Sequence, residues 1–498
     1  MKNSYINVPN STTLNEIKER NYTLSATQYK TFCVKNKNLI LVRDLLDREL
    51  KRTDLGIEVG SEEYVDNSKY VFIKTKALQE ESYIINEAKD ATEYITSKAF
   101  ENMNLKKDDI LISKDSNVGE IIILDKDYPN AMLCSGIYRL PITNHKYYFL
   151  AFAKSDLFRQ QIDFLVPRGS TIRHGKKKFL ECQIPFPNKN KIDTVNYIEC
   201  IMKAIIEKEI AIKSKYYNAM ECIGLELSSN QNDVKYKYEL PTLQDLKSLD
   251  RMDSSLYSRD FKKKEFLVRN YKYGTSNIKE LGFSISRGQN LQVSNIGKSV
   301  RTSEKRNGYY KLILPNYISK YGTITKTEYI GNSSKLKVLK TGDIVFGAEG
   351  NEKGRSFVVI KSEDNAITNI HGITLNHGKE NLNKSIVVKL FLDYYRMQGM
   401  IDAYAVGGNG GSMAIKYWDF LKFPNFPEDI ENKISLFYYN NKNYNVSNLT
   451  LKEFVEYDKK FNKEAGIYEI DLSLKYLQSL LDNAIKMIAD DEEVKVSF

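Results

Sequence analysis

The sequence predicts an α+β fold in which two pseudo-repeated, strand-rich modules are separated by long antiparallel coiled-coil helices. Two stretches of the chain, at about residues 70–187 and 290–427, share one order of sequence signals. A helical apolar stripe follows each of these stretches. The length of 498 residues fits two or three domains rather than one.

The first shared signal is a turn that leads into an apolar strand. Residues 105–112 (Leu-Lys-Lys-Asp-Asp-Ile-Leu-Ile) match residues 339–346 (Leu-Lys-Thr-Gly-Asp-Ile-Val-Phe), at an offset of 234. A glycine-bearing loop and a second apolar run follow each strand, at 117–124 and 353–360. This order predicts a β-hairpin in each copy.

Three more signals follow in the same order in both copies. They are an aromatic-rich helix with an arginine (147–159 and 387–396), a Gly-Ser loop (168–171 and 407–412) and a proline pair in an apolar frame (184–187 and 423–427). The offset at the last signal is 240, close to the first. We therefore infer that the chain contains an internal duplication.

Helical periodicity follows each proline pair. Apolar side chains recur every three or four positions from Ile192 to Ile223, which predicts a helix about 45 Å long. A second stripe begins at 430–437 and a third occupies 474–488. Two such helices could pack antiparallel as a coiled coil that holds the modules at a fixed spacing. The alternative is that each helix packs on its own module.

These signals divide the chain into five segments. They are an N-terminal extension (1–40), a first module (41–188), a first spacer helix (189–230), a second module (231–427) and a C-terminal spacer helix region (428–498). The polar run at 228–233 marks a linker before the second module. Residues 1–40 show no clear counterpart in the second half.

Composition points to a basic protein of the cytoplasm. The 74 Lys and Arg exceed the 64 Asp and Glu by ten, which mildly favours a polyanionic partner over an ordinary basic surface. The five cysteines form no Cys-x-x-Cys pair, as expected in a reducing compartment. The N-terminus lacks an apolar signal core, and no window approaches the roughly 18 apolar residues of a membrane span.

Basic residues concentrate in and beside the predicted loops. Lys and Arg neutralise phosphates, while Arg and Asn can read base edges, so as a group these residues favour nucleic acid. For any single lysine, a solvated surface role is the alternative. The candidates in the first module are Lys74, Lys76, Lys114, Arg168, Arg173, Lys176, Lys177 and Lys178. The candidates in the second module are Arg287, Lys298, Arg301, Lys305, Arg306, Arg355 and Asn409.

The sequence lacks the motifs of the common DNA-modifying enzymes. No proline is followed by another proline, so the Asp/Asn-Pro-Pro-Tyr/Phe element of amino-methyltransferases is absent. No proline is followed by aspartate, which disfavours a Pro-Asp nuclease core. Residues 297–299 (Gly-Lys-Ser) resemble the end of a phosphate-binding loop, but Gln292 stands where its first glycine is needed. The four histidines show no metal-binding or triad spacing. We therefore predict no catalytic residue, no metal and no cofactor in this chain.

Together these features resemble the specificity subunit of Type I restriction-modification systems. In that family two target-recognition domains each carry a Leu-Lys-x-Gly-Asp-Ile-Leu strand, a glycine hairpin, a Gly-Ser loop and an Ile-Pro-Leu-Pro-Pro closing segment before a helix. The similar segments here are 105–112 and 339–346, 117–120 and 350–355, 168–171 and 407–412, and 184–187 and 423–427. Residues 251–257 (Arg-Met-Asp-Ser-Ser-Leu-Tyr) also resemble the opening of such a domain. The closing segments depart from the family because they lack the second adjacent proline and the Glu-Gln that follows it.

The resemblance implies that each module reads one half of a bipartite site in double-stranded DNA and that the paired helices set the distance between the halves. It also implies two methyltransferase subunits, which would bind S-adenosylmethionine and methylate adenine, and an association with restriction motor subunits. The alternative is a non-catalytic adaptor that binds protein or RNA through two repeated modules.

Overall fold

The computed structural model describes residues 5–19, 22–88, 90–166, 174–362, 365–377, 381–407 and 411–498. The chain forms two compact units. The first unit comprises 1–210, 444–461 and 472–498, and the second comprises 211–443 and 462–471. Helices and strands are mixed in both units, so the predicted fold class is confirmed.

The first unit contains two main sheets, β10-β7-β8 and β4-β6-β5-β9, and two strand pairs, β1-β2 and β11-β3. Its elements in chain order are β1 (Ile6–Asn7), α1 (Leu14–Glu19), β2 (Thr31–Phe32), β3 (Leu39–Leu41), β4 (Tyr64–Val65), β5 (Val71–Ile73), β6 (Thr92–Ile95), β7 (Ile110–Ser113), β8 (Ile121–Ile123), β9 (Ala131–Leu133), β10 (Ile137–Leu140), α2 (Lys146–Ala153), α3 (Asp156–Leu165), β11 (Gln183–Pro185) and the first half of α4 (Lys191–Ser229).

The second unit contains the sheets β13-β19-β17-β18 and β14-β16-β15 and the pair β12-β20. Its elements are α5 (Leu243–Leu249), α6 (Arg259–Arg269), β12 (Thr275–Ser276), β13 (Phe283–Arg287), α7 (Val293–Ile296), β14 (Ser299–Thr302), β15 (Tyr310–Lys311), β16 (Tyr329–Asn332), β17 (Ile344–Gly347), β18 (Ser356–Val358), β19 (Gly372–His377), α8 (Leu382–Met397), α9 (Met400–Tyr404), β20 (Phe423–Pro424) and α10 (Glu428–Leu436). Helices α11 (Leu451–Glu464) and α12 (Ile467–Ala489) contribute residues to both units.

Strand pairing within each unit confirms the internal duplication. In the first unit β7 lies between β8 and β10, and Ile110 is opposite both Ile123 and Leu140. In the second unit β17 lies between β18 and β19, and Ile344 is opposite both Val358 and Leu375. The predicted hairpins are therefore β7-β8 and β17-β18. All four residues of both central strands are buried, which fits strands that are covered on both faces.

A short antiparallel pair closes each duplicated segment. Leu41 of β3 is opposite Gln183 of β11, and Ser276 of β12 is opposite Phe423 of β20. In each unit the chain leaves one strand of the pair and returns on the other strand at an adjacent position. The segments between the paired strands are 42–182 in the first unit and 277–422 in the second. The strand β3 begins inside the predicted N-terminal extension and is part of the repeated fold.

The N-terminal extension also has a counterpart that the sequence comparison missed. Residues 13–18 (Thr-Leu-Asn-Glu-Ile-Lys) and 242–247 (Thr-Leu-Gln-Asp-Leu-Lys) each begin a short exposed helix, α1 and α5. In both helices a threonine hydroxyl accepts a bond from the backbone of the acidic residue three positions later, which bonds back to the threonine. The N-terminal extension and the start of the second module therefore share this capping pattern.

Helix α4 extends beyond the apolar stripe that ends at Ile223. It spans 39 residues, which corresponds to about 58 Å. The polar run at 228–233 lies at its end: Gln231 Nε2 donates to the Leu227 carbonyl at 2.6 Å, and Asn230 Nδ2 donates to Glu226 at 3.0 Å. These bonds satisfy carbonyl and carboxylate groups of the last turn. Part of the run is therefore a helix cap rather than a free linker.

The long helices pack antiparallel within the first unit. Just before α4 begins, Asn188 Nδ2 donates to Asp491, which follows the end of α12, at 2.8 Å. Farther along α4, Glu209 accepts from the Tyr83 amide at 2.7 Å, and the Tyr83 hydroxyl accepts from Gln478 of α12 at 3.0 Å. Apolar side chains of both helices fill one buried cluster. The predicted antiparallel helix packing is confirmed in this unit.

The predicted aromatic helix of the first module is two helices. Lys154 ends α2, and Ser155, whose hydroxyl donates to the Phe152 carbonyl at 2.6 Å, begins α3. In the second module the corresponding helix α8 continues unbroken for 16 residues. The break arises because a serine that bonds to its own preceding turn favours a new helix start over continuation.

One lysine–aspartate pair is buried in each unit. Lys208 Nζ lies 2.7 Å from Asp458 in the first unit, and Lys389 Nζ lies 2.6 Å from Asp393 in the second. Burial lowers the pKa of both lysines, to about 8 for Lys208, and the facing carboxylate opposes this shift. In each pair the apolar interior therefore tolerates the charged lysine only because the aspartate lies beside it.

The corner between α11 and α12 requires a glycine. A Cβ on Gly466 would lie 2.5 Å from the backbone of Tyr438 and Tyr439, which cannot move as a side chain could. We expect Gly466→Ala to lower the free energy of unfolding by about 1–3 kcal/mol, measured by urea denaturation. Gly224→Ala in α4 is the matched control, since its nearest neighbour atom is 3.6 Å away. Equal midpoints for the two variants would contradict this account.

Among the described residues, no helix is both long and apolar enough to cross a bilayer.

Candidate nucleic-acid interface

In the first unit, the chain that follows β7 joins two other segments through its backbone. The Lys114 amide donates to the Gly136 carbonyl at 2.8 Å, and the Lys114 carbonyl accepts from the Gly175 amide at 2.6 Å. The Gly119 amide donates back to Ser113 at 2.8 Å and closes the loop. The bond to Gly175 fixes the chain just after residues 167–173. Those residues contain the predicted Gly-Ser loop and lie outside the described residues. We call residues 114–119, with Gly136 and Gly175, the first loop platform.

The second unit repeats these bonds. The Ala348 amide donates to the His371 carbonyl at 3.1 Å, and the Ala348 carbonyl accepts from the Met413 amide at 2.8 Å. The Gly354 amide donates to the Gly347 carbonyl at 2.7 Å. We call residues 348–354, with His371 and Met413, the second loop platform. The bond partners of the two platforms differ by 234 to 238 positions, so both units present the same loop edge.

A 3-10 turn borders each platform. The turns are Thr75–Ala77 and Pro315–Tyr317. A Cβ on Gly136 would lie 2.5 Å from Thr75 Cγ2 and 3.6 Å from Asp115 Cβ. A Cβ on Gly347 would lie 3.3 Å from Pro315. The first turn therefore brings Lys74 and Lys76 to the edge where Lys114 lies.

The basic candidates of the first module lie at or near this platform. Lys74 Nζ is 2.7 Å from Glu93, and Lys76 Nζ is 3.6 Å from Asp90. Lys114 pairs with Asp115. Lys178 pairs with Glu181 at 2.8 Å, while Lys176 and Lys177 are exposed. Arg168 and Arg173 lie outside the described residues.

The basic candidates of the second module occupy two places. Arg287 lies at the platform, where it donates to Glu349 at 3.1 Å and to the Ile370 carbonyl at 3.2 Å. Lys298, Arg301, Lys305 and Arg306 are exposed on the sheet that contains β14 and on the loop after it; Arg301 is 3.6 Å from Glu328, and Arg306 is 3.2 Å from Glu304. Asn409 lies outside the described residues.

Arg355, like Lys114, is largely buried. Its side chain is 18% exposed, pairs with Glu352 and donates to the Ile318 carbonyl at 3.2 Å. These contacts tie the platform to the segment after the Pro315–Tyr317 turn. Arg355 is therefore placed to support the loop from beneath.

Glu328 links the basic sheet to the same turn. It accepts from the Tyr317 hydroxyl at 2.7 Å and pairs with Lys326 at 3.0 Å. Although burial acts to raise the pKa of Glu328, these bonds together with Arg301 hold that pKa below its ordinary value. Glu328 is therefore ionised at neutral pH and orients Arg301 beside the turn.

An exposed histidine that is not among the candidate residues lies at each platform. Asp115 accepts from His174 Nδ1 at 2.8 Å, and Glu349 contacts His371 Nδ1 at 2.6 Å. Glu349 lies 234 positions after Asp115, which is the offset of the first repeat signal, so the repeat in the sequence could have paired these two carboxylates. The histidines themselves come from different segments, so no repeat in the sequence points to them.

The described residues offer no metal centre, since no group of three or more His, Cys, Asp or Glu side chains among them could hold an ion. Cys134, near the first platform, is a poor nucleophile because burial raises the pKa of its thiol. Both edges combine fixed loops, nearby cations and an exposed imidazole, an arrangement suited to binding.

Comparison with known proteins identifies the first module. Residues 58–197 match the family model of the Type I restriction modification DNA specificity domain. This match confirms, for residues 58–197, the resemblance to a Type I specificity subunit drawn from the sequence. The match covers the first module, and the second module is related to it by the repeated strand pairs and platform bonds.

Three solved structures are similar over most of the chain. The S subunit of a Type I restriction-modification system from M. genitalium shares 14% identity, with 90% of this chain and 95% of that chain covered and a TM-score of 0.40. A chain described under complex assembly and conformational transition of the type I R-M system shares 12% identity (90% and 97% covered, TM-score 0.27). The HsdS subunit from Thermoanaerobacter tengcongensis shares 10% identity (91% and 96% covered, TM-score 0.26). No curated protein matches the chain.

Proposed function

We propose that this chain is the DNA-binding subunit that recognises a bipartite site in double-stranded DNA, each module reading one half. The repeated loop platform is the observation that carries the proposal. In both units the same backbone bonds hold a loop edge. Lysines or arginines lie at that edge or on the sheet linked to it. Rigidly held loops can present side chains to base edges, while Lys and Arg contact phosphates and fix the register.

The chain acts, in this proposal, as a non-catalytic subunit in the cytoplasm. Two methyltransferase subunits bind to it, hold S-adenosylmethionine and methylate adenine at the recognised site. Restriction motor subunits join the same assembly.

Methylome sequencing tests the proposal. We expect cells that express this chain with the methyltransferase genes encoded beside it to gain one new methylated adenine motif, split into two halves by a fixed number of unspecified bases. The fixed spacing follows because one chain carries both reading modules.

Cells with the methyltransferase genes alone are the control and should lack the motif. A motif that appears without this chain, or an unsplit motif, would exclude the proposed role. Retention of RNA or protein by the purified full chain, with no binding to any duplex, would favour the adaptor instead.

A further inference from the structure

The two platforms share a charge arrangement that their sequences do not reveal. In the first, Asp115 lies between Lys114 and His174; in the second, Glu349 lies between Arg287 and His371. Each carboxylate has one permanent cation that balances it and one histidine that can add a charge. The arrangement arises from different segments in the two units, since His174 precedes Gly175 whereas His371 precedes β19.

The carboxylates occupy equivalent positions in the fold. The backbone of Asp115 forms an antiparallel bridge with His174, and the backbone of Glu349 forms the corresponding bridge with Ser412. Ser412 and His174 therefore hold equivalent places in the two units. Both carboxylates are fixed at the loop edge and can orient a side chain precisely.

The imidazoles are the exposed part of each arrangement. The His174 side chain is 63% exposed and the His371 side chain 57%, while Asp115 is 18% exposed and Glu349 37%. Each carboxylate engages Nδ1, which leaves Nε2 for a ligand. Within the described ranges no protein group bonds to either Nε2. A protonated imidazole held in this way donates from Nε2 to an anion.

We infer that His174 and His371 are the equivalent phosphate contacts of the two modules, each donating from Nε2 to a phosphodiester oxygen of duplex DNA, with Asp115 and Glu349 as positioning residues. The inference rests on the proposed function and adds one DNA-contacting residue per module. The balanced Lys114–Asp115 and Arg287–Glu349 pairs mean that a protonated histidine gives each arrangement a net charge of +1. That charge is opposite to the charge of a phosphodiester group.

Equilibrium binding to DNA tests the inference with the full chain and its methyltransferase partner. The probes are a duplex that carries the methylated motif and a scrambled duplex of the same length. We expect His174→Ala and His371→Ala each to weaken binding to both duplexes about tenfold, as for loss of one charged hydrogen bond. The slope of log K against log salt should become shallower by about 0.9 for each variant. The double variant should lose about a hundredfold, because the two sites share no partner.

Two further variants separate a DNA contact from a structural role. His174→Arg keeps a cation beside Asp115 and should retain both the wild-type affinity and the salt slope. His145→Asn is the matched control: His145 is 50% exposed and lies 3.5 Å from Glu199, but it begins α2 and does not border a platform. It should bind as the wild type does. Should His174→Ala unfold, His174→Gln, which retains a donor toward Asp115, is measured in its place.

Wild-type affinity and slope in both alanine variants would overturn the inference and leave the proposed function intact. The inference would also be overturned if His174→Arg lost as much affinity as His174→Ala, because the position would then matter for structure alone. If the wild-type complex bound neither duplex, the proposed function itself would fail, and the inference with it.

Discussion

Asp393→Ala is expected to destabilise the second unit by about 3–5 kcal/mol, as for removal of one partner from a buried ion pair. Lys389 and Asp393 have no exposed side-chain surface, and the ammonium is also 3.3 Å from the Tyr321 carbonyl and 4.4 Å from the centre of the Tyr438 ring. Without Asp393 these neighbours cannot compensate a full charge. Hydrogen exchange of peptides from α8, with urea denaturation, measures the loss.

The pH dependence of this loss has a definite sign. Burial lowers the pKa of Lys389 below its unfolded value, and Asp393 opposes that shift. In Asp393→Ala the folded lysine therefore releases its proton more readily, so the unfolded state binds more protons. Stability of the variant should rise with pH toward the ordinary pKa of lysine and fall as pH decreases.

The double variant Lys389→Met/Asp393→Leu is the matched control. It replaces both charges by apolar groups of similar size and should recover most of the lost stability. An Asp393→Ala protein that unfolds at the wild-type urea concentration would show that Lys389 has another effective partner.

Replacing residues 42–182 by a copy of residues 277–422 is expected to change one half of the recognised site and leave the other half unchanged. The strand pairs β3-β11 and β12-β20 make this exchange possible, because each segment begins and ends at adjacent positions. Val42 and Ile278, the first apolar residues after these strands, are both fully buried and occupy equivalent places. Both halves of the new motif should then read as the original second half, determined by methylome sequencing.

The reciprocal exchange controls for damage to the frame. A copy of residues 42–182 placed at 277–422 should give two copies of the first half. Cooperative thermal unfolding of both chimaeras is required, because the first segment also packs against α4 through residues such as Tyr83. A change in both halves of the site from either single exchange would refute independent reading by the modules.

Much of the fold could be predicted because its signals are local. The strands β7 and β17 each begin with three apolar residues after an acidic turn, and burial on both faces explains their composition. The stripe of α4 was visible for the same reason, since helical packing imposes a short period. The stripe ends before the helix does, and Asn230 and Gln231, which bond to the last turn of the helix, look in sequence like a polar linker.

The candidate site was predictable only in part. Repeat signals pointed to the loops after β7 and β17, but a contact such as Asp115–His174 joins residues 59 positions apart and follows no period. Arg355 illustrates the opposite case: its sequence context suggested an exposed cation, yet packing beneath the platform turned it inward. Side-chain direction depends on tertiary contacts, which single-residue chemistry does not encode. Whether the basic candidates contact DNA stays a prediction.

The first unit includes residues from both ends of the polypeptide, and this has a consequence for synthesis. Asn36 Nδ2 donates to the Ile488 carbonyl across 452 positions, and 472–498 complete the same apolar cluster as α4. On the ribosome, the buried face of α4 in this unit emerges long before the helix that covers it. Nascent chains that stop short of α12 would expose that face, so premature termination should yield aggregating or rapidly degraded fragments rather than a working half.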